Sequence, residues 1–155
     1  MKEQNELHHV FKYDVVLQQI LDRAGWHPGR KCQKWAAKQK RHLEREGFTV
    51  YPATIRVLEE FGELKIGDLA ACGKSEQAAV HVEPETSQAA VDLFKEYEIL
   101  TKIELCPLGT YGDEDFIGIS PDGSVYYVGD WIWYLGDSFA HAIEGLILGK
   151  ERAKD

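Results

Sequence analysis

One short segment, Ala24–Lys31, constrains the fold of this chain more than any other part of the sequence. It follows a stretch with apolar residues at helical spacing and contains two glycines, a proline and a tryptophan. Gly25 stands where a helix needs a left-handed closing residue. Pro28 and Gly29 predict a tight turn, which the large apolar surface of Trp26 can hold against a core. The segment therefore predicts a structural motif, made of Gly25, Trp26, Pro28, Gly29 and Arg30.

Helical periodicity and capping residues predict five helices. The first shows the pattern well, because Asp14 is a good N-cap and Leu17, Ile20 and Leu21 recur on one face. The third begins at Pro52, which suits the first turn of a helix. The expected helices are, in chain order, about Asp14–Ala24, Gln33–Glu46, Pro52–Gly62, from a cap at Thr86 or Ser87 to Tyr97, and from a cap at Asp137 or Ser138 to Leu148, with Gly149 closing.

Between these helices, alternating and β-branched segments separated by turn residues predict strands. The later strands follow one another through short turns, as in an antiparallel meander. We expect turns at Gly109–Glu114, at Pro121–Gly123 and at Gly129–Asp130. The expected strands are Leu64–Leu69, Ala78–Val82, Ile103–Leu108, Asp115–Ile119, Ser124–Val128 and Trp131–Leu135, the first two joined through Cys72–Ser75.

These elements predict an α+β fold, with a mostly antiparallel sheet packed against helices, a helical N-terminal part and a C-terminal helix. A chain of 155 residues that is 44% hydrophobic can bury one ordinary core. We expect a single domain over residues 14–149, with flexible termini at residues 1–13 and 150–155.

The sequence favours a protein of the cytoplasm. No apolar run approaches the roughly 18 residues that span a bilayer, and the polar N-terminus lacks the apolar stretch of a secretory signal. The three cysteines, Cys32, Cys72 and Cys106, are far apart and form no Cys-x-x-Cys pair. We therefore expect buried free thiols in a reducing compartment.

Charge is unevenly distributed along the chain, whose net charge is −8. Residues 30–45 carry seven basic residues against the single Glu44, whereas residues 46–148 carry 19 acidic residues against 5 basic ones. An acidic body of this kind repels nucleic acid over most of its surface and attracts basic partners. Acidity that serves only solubility remains an alternative.

No pattern in the sequence predicts catalysis or cofactor binding. The histidines, His8, His9, His27, His42, His81 and His141, show no metal-binding spacing. No Gly-x-Ser-x-Gly elbow or Walker loop occurs, and Cys106 lies on a predicted strand, where a small core thiol is expected. We expect no catalytic residue, no metal and no cofactor.

Two segments are candidates for binding another protein. The acidic turn Asp113-Glu114-Asp115 lacks the spacing of a calcium loop, but its adjacent carboxylates present a concentrated negative field. In a strand, Trp131 and Trp133 share one face while Ile132 and Tyr134 share the other. One face must be core; the other is either covered by a helix, which we favour, or exposed as an aromatic anchor.

Several short motifs, in order, resemble the SUKH superfamily of bacterial immunity proteins, and most closely its third group. They span about residues 14–149 and comprise Gly25–Arg30, Gly47–Phe48, Tyr51–Ala53, Leu58–Gly62, Val82–Glu85, Pro107–Gly109, Asp122–Tyr126 and Leu135–Phe139. The chain departs from the family pattern at Cys32 and Gln33, where an aliphatic residue and an acidic cap are usual. Glu63 also replaces a second glycine.

The resemblance implies a non-enzymatic protein that is made beside a secreted toxin and binds the toxin's C-terminal domain. Such domains are often nucleases, whose basic surfaces suit an acidic binder. We therefore expect a cognate, basic, nuclease-like toxin domain as partner, no nucleic-acid or membrane binding, and a monomer or weak dimer. The residues that we expect to contact the toxin are Asp113, Glu114, Asp115, Asp130, Trp131 and Trp133.

A small-ligand sensor or regulatory module, with a cleft between sheet and helices, is the alternative reading. An ordered small molecule in a buried polar pocket would favour that reading. An unrecognised hydrolase is a third hypothesis, but the sequence shows no pairing of a nucleophile with a base.

Overall fold

The computed structural model describes residues 15–67, 79–84, 86–112 and 114–148. Within these residues the chain forms five helices and one six-stranded antiparallel sheet, which confirms the predicted α+β class. The helices are α1 (Val15–Ala24), α2 (Gln33–Arg45), α3 (Pro52–Phe61), α4 (Gln88–Thr101) and α5 (Phe139–Leu148). The strands are β1 (Lys65–Ile66), β2 (Val80–His81), β3 (Cys106–Tyr111), β4 (Asp115–Ile119), β5 (Val125–Val128) and β6 (Ile132–Gly136).

The sheet is a meander in which the strands lie in chain order from β1 to β6. Residues that are directly opposite in the register share a face of the sheet. Ile117, Tyr127 and Trp133 are opposite one another and lie on one face, which we call the α3 face. Phe116 and Val128 lie on the other, which we call the α4 face. The β3–β4 and β5–β6 turns consequently meet at one end of the sheet.

Helix α3 packs on the α3 face of the sheet, and α5 packs against α3. Thr54 of α3 hydrogen-bonds Cys106, which lies opposite Ile119 on that face. The rings of Phe61 and Phe139 join α3 to α5, with centroids 4.8 Å apart. The core is therefore concentrated between the sheet and these helices.

On the other side, α4 packs across the middle of the sheet. The ring of Phe94 lies 6.1 Å from that of Phe116, and a Cβ built at Gly118 would come within 2.7 Å of the Phe94 ring. Tyr97 is also buried and donates its hydroxyl to the carbonyl oxygens of Gly129 and Asp130, at 2.8 and 2.7 Å. These contacts join α4 to the turn between β5 and β6.

The glycine–tryptophan segment connects α1 to the end of α3. Gly25 has φ +107°, and the Trp26 amide donates to the Leu21 carbonyl at 2.9 Å, so the helix closes in a left-handed turn. The amide of Arg30 donates to the His27 carbonyl at 3.2 Å, which closes a turn with Pro28 and Gly29 at its centre. Gly29 has φ +82°. This φ at the third position, with proline at the second, is that of a type II turn.

Glu63, which stands in place of a second glycine, retains a backbone conformation that glycine adopts more easily. Its φ is +69°, one of two positive values at non-glycine residues in the described chain. Its amide donates to the Val82 carbonyl at 2.7 Å, which fixes the turn between α3 and β1. The left-handed region costs an L-residue roughly 1–2 kcal/mol, so this departure from the family pattern stores local strain.

Several predicted boundaries are wrong. Strands β1 and β2 are shorter than expected, and β3 begins at Cys106 rather than at Ile103. We expected the turn to begin at Gly109, but β3 continues to Tyr111, because β4 pairs with β3 as far as Tyr111 and β2 pairs with Thr110 and Tyr111. The strands approach so closely that a Cβ at Gly109 would collide with the His81 carbonyl oxygen. The fourth helix runs one turn beyond Tyr97, and a left-handed Lys102 closes it. In this last turn the apolar residues Ile99 and Leu100 are exposed, so the turn does not follow the amphipathic pattern from which the helix was predicted.

Other expectations depend on residues outside the described chain, namely Asp14, the segment Asp68–Ala78 with Cys72, and Gly149. Of the two described cysteines, Cys106 is buried, as expected, and Cys32 is half-buried. Burial raises the pKa of the Cys106 thiol to about 12. Cys32, and not Gln33, occupies the N-cap of α2, and it makes no side-chain cap hydrogen bond.

Candidate protein-binding site

The candidate residues lie around the end of the sheet where the β3–β4 and β5–β6 turns meet. Asp115 begins β4, and a Cβ built at Gly129 in the β5–β6 turn would come within 2.5 Å of its carboxylate oxygen. Glu114 and Asp130 are exposed in the two turns. Asp113 lies outside the described residues.

Four residues on the α3 face form a continuous group at this end of the sheet, which we call the acidic–aromatic corner: Tyr111, Asp115, Tyr127 and Trp133. The Tyr127 hydroxyl donates a hydrogen bond to the Asp115 carboxylate. The rings of Tyr111 and Tyr127 pack edge to face, with centroids 5.7 Å apart. Trp133 lies directly opposite Tyr127 and is 57% exposed.

The hydrogen bond between Tyr127 and Asp115 fixes both side chains. Burial and the neighbouring carboxylate raise the pKa of the Tyr127 phenol above its ordinary value, so the phenol stays protonated and donates. The phenol occupies one lone pair of the Asp115 carboxylate, which is half-exposed. The corner therefore presents a rigid aromatic surface with a fixed negative charge.

Trp131 lies apart from this group. It stands in the turn before β6, and its ring packs edge-on against Tyr97 of α4, with centroids 5.5 Å apart. Our expectation that Trp131 and Trp133 share one strand face is therefore wrong, because the turn carries Trp131 toward α4. The expected helix cover is also wrong, since 48% of Trp131 and 57% of Trp133 are exposed.

A second pair of aromatic residues lies on the α4 face, beyond the part that α4 covers. Tyr126 and Tyr134 are opposite each other, with ring centroids 5.7 Å apart, and Tyr134 is 42% exposed. Burial, with a contribution from the Asp122 carboxylate, raises the pKa of Tyr126. Hairpin β5–β6 thus displays aromatic side chains on both faces of the sheet.

Charged residues are unevenly distributed among the elements of the fold. Residues 103–149 contain eight carboxylate residues and no lysine or arginine. This stretch includes β3 to β6 and α5, and therefore the whole acidic–aromatic corner. The basic residues gather on α2 instead, where Lys34, Lys38 and Arg41 are all exposed at helical spacing.

Sequence reasoning did not identify Tyr111, Tyr126 or Tyr127 as candidate binding residues, and it placed Tyr134 on a strand face without including it among the expected contact residues. The sequence signal that could have identified them is the lack of lysine and arginine between residues 103 and 149. In this region the only charged neighbours of the aromatic residues along the chain, apart from histidine, are carboxylates.

The described residues bring no group of three histidine, cysteine, aspartate or glutamate side chains together in a way that could hold a metal ion. None of the helices described is both long and apolar enough to cross a membrane.

A family model described as SUKH-3 immunity protein matches residues 13–149 of this sequence. The chain belongs to the SUKH-3 immunity protein family. The match confirms the resemblance inferred from the ordered motifs and indicates a role as an immunity protein. Neither a curated protein nor a solved structure matches this SUKH-3 protein.

Proposed function

We propose that this SUKH-3 protein binds the toxic C-terminal domain of a cognate secreted toxin in the cytoplasm of the producing bacterium. The toxin domain is basic and nuclease-like, and the bound immunity protein covers its substrate cleft without chemical turnover. The contact residues are Asp113, Glu114, Asp115, Asp130, Trp131 and Trp133, to which we add Tyr111 and Tyr127.

The separation of charge is the observation that carries this proposal. A nuclease must present lysine and arginine to the phosphate backbone. A surface that contains carboxylates and no lysine or arginine over residues 103–149 matches such a cleft in sign. Complementary fields of this kind raise association rates and reject partners of the wrong charge.

The aromatic side chains supply the second part of the argument. Binding energy concentrates in a few buried aromatic or arginine residues, surrounded by polar contacts that exclude water. Trp133 is exposed beside Tyr127, which its bond to Asp115 already orients. Since little ordering is needed on binding, this corner is a suitable anchor for the toxin.

The test uses the purified toxin domain encoded beside this protein. Nuclease activity should fall linearly and reach zero at a fixed molar ratio of the two proteins, as a stoichiometric inhibitor requires. A non-cleavable oligonucleotide should compete with the immunity protein for the toxin. A ternary complex of toxin, immunity protein and oligonucleotide would contradict cleft blocking, and absence of any complex would contradict the proposed partner.

A further inference from the structure

Strand β6 forms one edge of the sheet and differs from the strand at the opposite edge. Among the described residues, β6 (Ile132–Gly136) pairs only with β5, and four of its five residues have a partner there. The opposite edge, β1, is only two residues long. A short edge strand offers little to pair with, whereas a longer one presents a row of backbone donors and acceptors.

The register shows which backbone groups of β6 face outward. The Gly129 amide donates to the Trp131 carbonyl at 2.9 Å. Because antiparallel pairs alternate between hydrogen-bonded and non-bonded, Tyr127 and Trp133 form a hydrogen-bonded pair. The amides and carbonyls of Ile132 and Tyr134 therefore point away from β5. No described residue outside the sheet bonds to them through its backbone.

The features that commonly protect an edge strand are largely missing from β6. It contains neither lysine nor proline, and its one register shift lies at the far end, where Val125 pairs with Gly136. Its exposed side chains lie on opposite faces, with Trp133 on the α3 face and Tyr134 on the α4 face. An added strand would gain an aromatic cross-strand neighbour on each face.

The charges beside β6 specify the partner strand. Asp130 and Asp137 are exposed just before and just after the strand. They are seven residues apart, which is roughly 23 Å of extended chain. Asp137 is also bonded to His141 at 2.8 Å, which fixes its position. A strand with lysine or arginine near both ends matches these carboxylates, whereas an acidic strand would be repelled.

We propose that β6 is a docking edge, and that an extended basic segment of the toxin domain pairs with it as a seventh strand. This inference rests on the proposed function for the identity of the partner. Backbone hydrogen bonds to Ile132 and Tyr134 provide affinity, and Trp133, Tyr134 and the flanking aspartates select the side chains of the added strand.

Residue-resolved amide hydrogen exchange, with and without the purified toxin domain, tests the inference directly. In the free protein the Ile132 and Tyr134 amides should exchange quickly, while the Trp133 amide, bonded to β5, should be protected. In the complex, protection of Ile132 and Tyr134 should rise at least about a hundredfold, as for amides held in a stable sheet.

The outcomes separate the two proposals. A complex in which both amides exchange as fast as before would overturn the docking edge and leave the proposed function intact. Failure to form any complex would overturn the proposed function, and the docking edge with it. If both amides are already protected in a dimer of the free protein, β6 pairs with a second copy and the inference is wrong.

A pair of variants at one position supplies an independent readout. Tyr134→Ala removes the side chain and keeps the outward amide, whereas Tyr134→Pro removes both. Proline is tolerated in an edge strand where the amide faces outward. We expect Tyr134→Pro to bind the toxin about tenfold more weakly than Tyr134→Ala, the loss of one intermolecular hydrogen bond.

The melting temperatures of the two variants serve as the folding control. Equal toxin affinities in two folded variants would contradict pairing at β6. If Tyr134→Pro does not fold, the exchange experiment on the unmodified protein decides.

Discussion

The indole nitrogen of Trp26 donates a hydrogen bond to the carboxylate of Glu60, 3.0 Å away and 34 residues later in the chain. In the same motif, the Arg30 guanidinium donates to the carbonyl oxygens of Glu60 and Gly62, at 2.9 and 2.8 Å. These carbonyls belong to the end of α3 and would otherwise lack helical partners. The Gly25–Arg30 motif therefore connects the end of α1 to the end of α3.

Replacing Trp26 with phenylalanine should lower the free energy of unfolding by about 2 kcal/mol. The change removes the indole N–H that donates to Glu60. It also leaves a gap in the core, because the Trp26 side chain that fills this position is only 4% exposed. Urea denaturation measures the loss. Trp131→Phe is the matched control, because its indole is half-exposed and should cost less than about 0.5 kcal/mol. Equal losses in the two variants would show that Trp26 does not anchor the motif.

Replacing Glu63 with glycine should stabilise the protein by about 0.5–1 kcal/mol. Glycine adopts φ +69° without strain, although it also has more freedom to lose on folding. Glu44→Gly, in the exposed part of α2, should instead destabilise by about 1 kcal/mol, since its backbone is helical. Thermal or urea unfolding distinguishes them. Loss of stability in Glu63→Gly would mean that the Glu63 side chain outweighs the backbone strain.

Trp133→Ala should weaken toxin binding without lowering stability, whereas Trp131→Ala should lower stability as well. Trp133 is the more exposed, so its removal should lower toxin affinity at least about tenfold and change the free energy of unfolding by less than about 0.5 kcal/mol. Trp131 packs on Tyr97, so its removal should also cost about 1 kcal/mol of stability. Calorimetric titration and urea unfolding give the two quantities. Unchanged affinity in Trp133→Ala would remove the acidic–aromatic corner from the interface.

Association with the toxin should slow as salt increases, because screening weakens the field of the carboxylates. Glu114→Gln combined with Asp130→Asn should reduce the on-rate about fivefold at low salt. Glu44→Gln combined with Asp92→Asn makes the same change in net charge on α2 and α4. Surface plasmon resonance compares the rates. If the two double variants slow association equally, net charge, rather than the position of these carboxylates, controls the on-rate.

Stability should decline above pH 10, with part of the decline due to Tyr127. Burial and Asp115 raise the pKa of this phenol, while in the unfolded chain it is about 10. Above that pH the unfolded state loses a proton that the folded state keeps, so the free energy of unfolding falls as pH rises. Tyr127→Phe should show a shallower decline in urea midpoints between about pH 10 and 11.5. An identical decline would mean that Tyr127 titrates normally.

Most helices and strands of this fold could be predicted from the sequence, because the residues that indicate them lie within or next to each element. Proline marks the start of α3 through its fixed φ. The serine caps of α4 and α5 accept hydrogen bonds from nearby amides, such as that of Ala90 to the Ser87 hydroxyl at 3.3 Å. Alternation and turn residues placed β4 at the bounds that the structure shows. The end of β3 differs from the prediction because the glycine at position 109 indicated a turn, whereas pairing with β4 on one side and with β2, about 30 residues away in sequence, on the other extends the strand.

The sequence by itself determined the α+β class, the family and the acidic character of the C-terminal half, since periodicity, ordered motifs and charge are properties of a single chain. Only the tertiary structure decided which aromatic residues stand together. Tyr111, Tyr127 and Trp133 belong to three strands, and the register in which these strands pair places them on one face beside Asp115. The same pairing leaves β6 at an edge. A shift of one residue would send these side chains to the opposite face, and the choice is made by the pairing of strands and not by one strand alone.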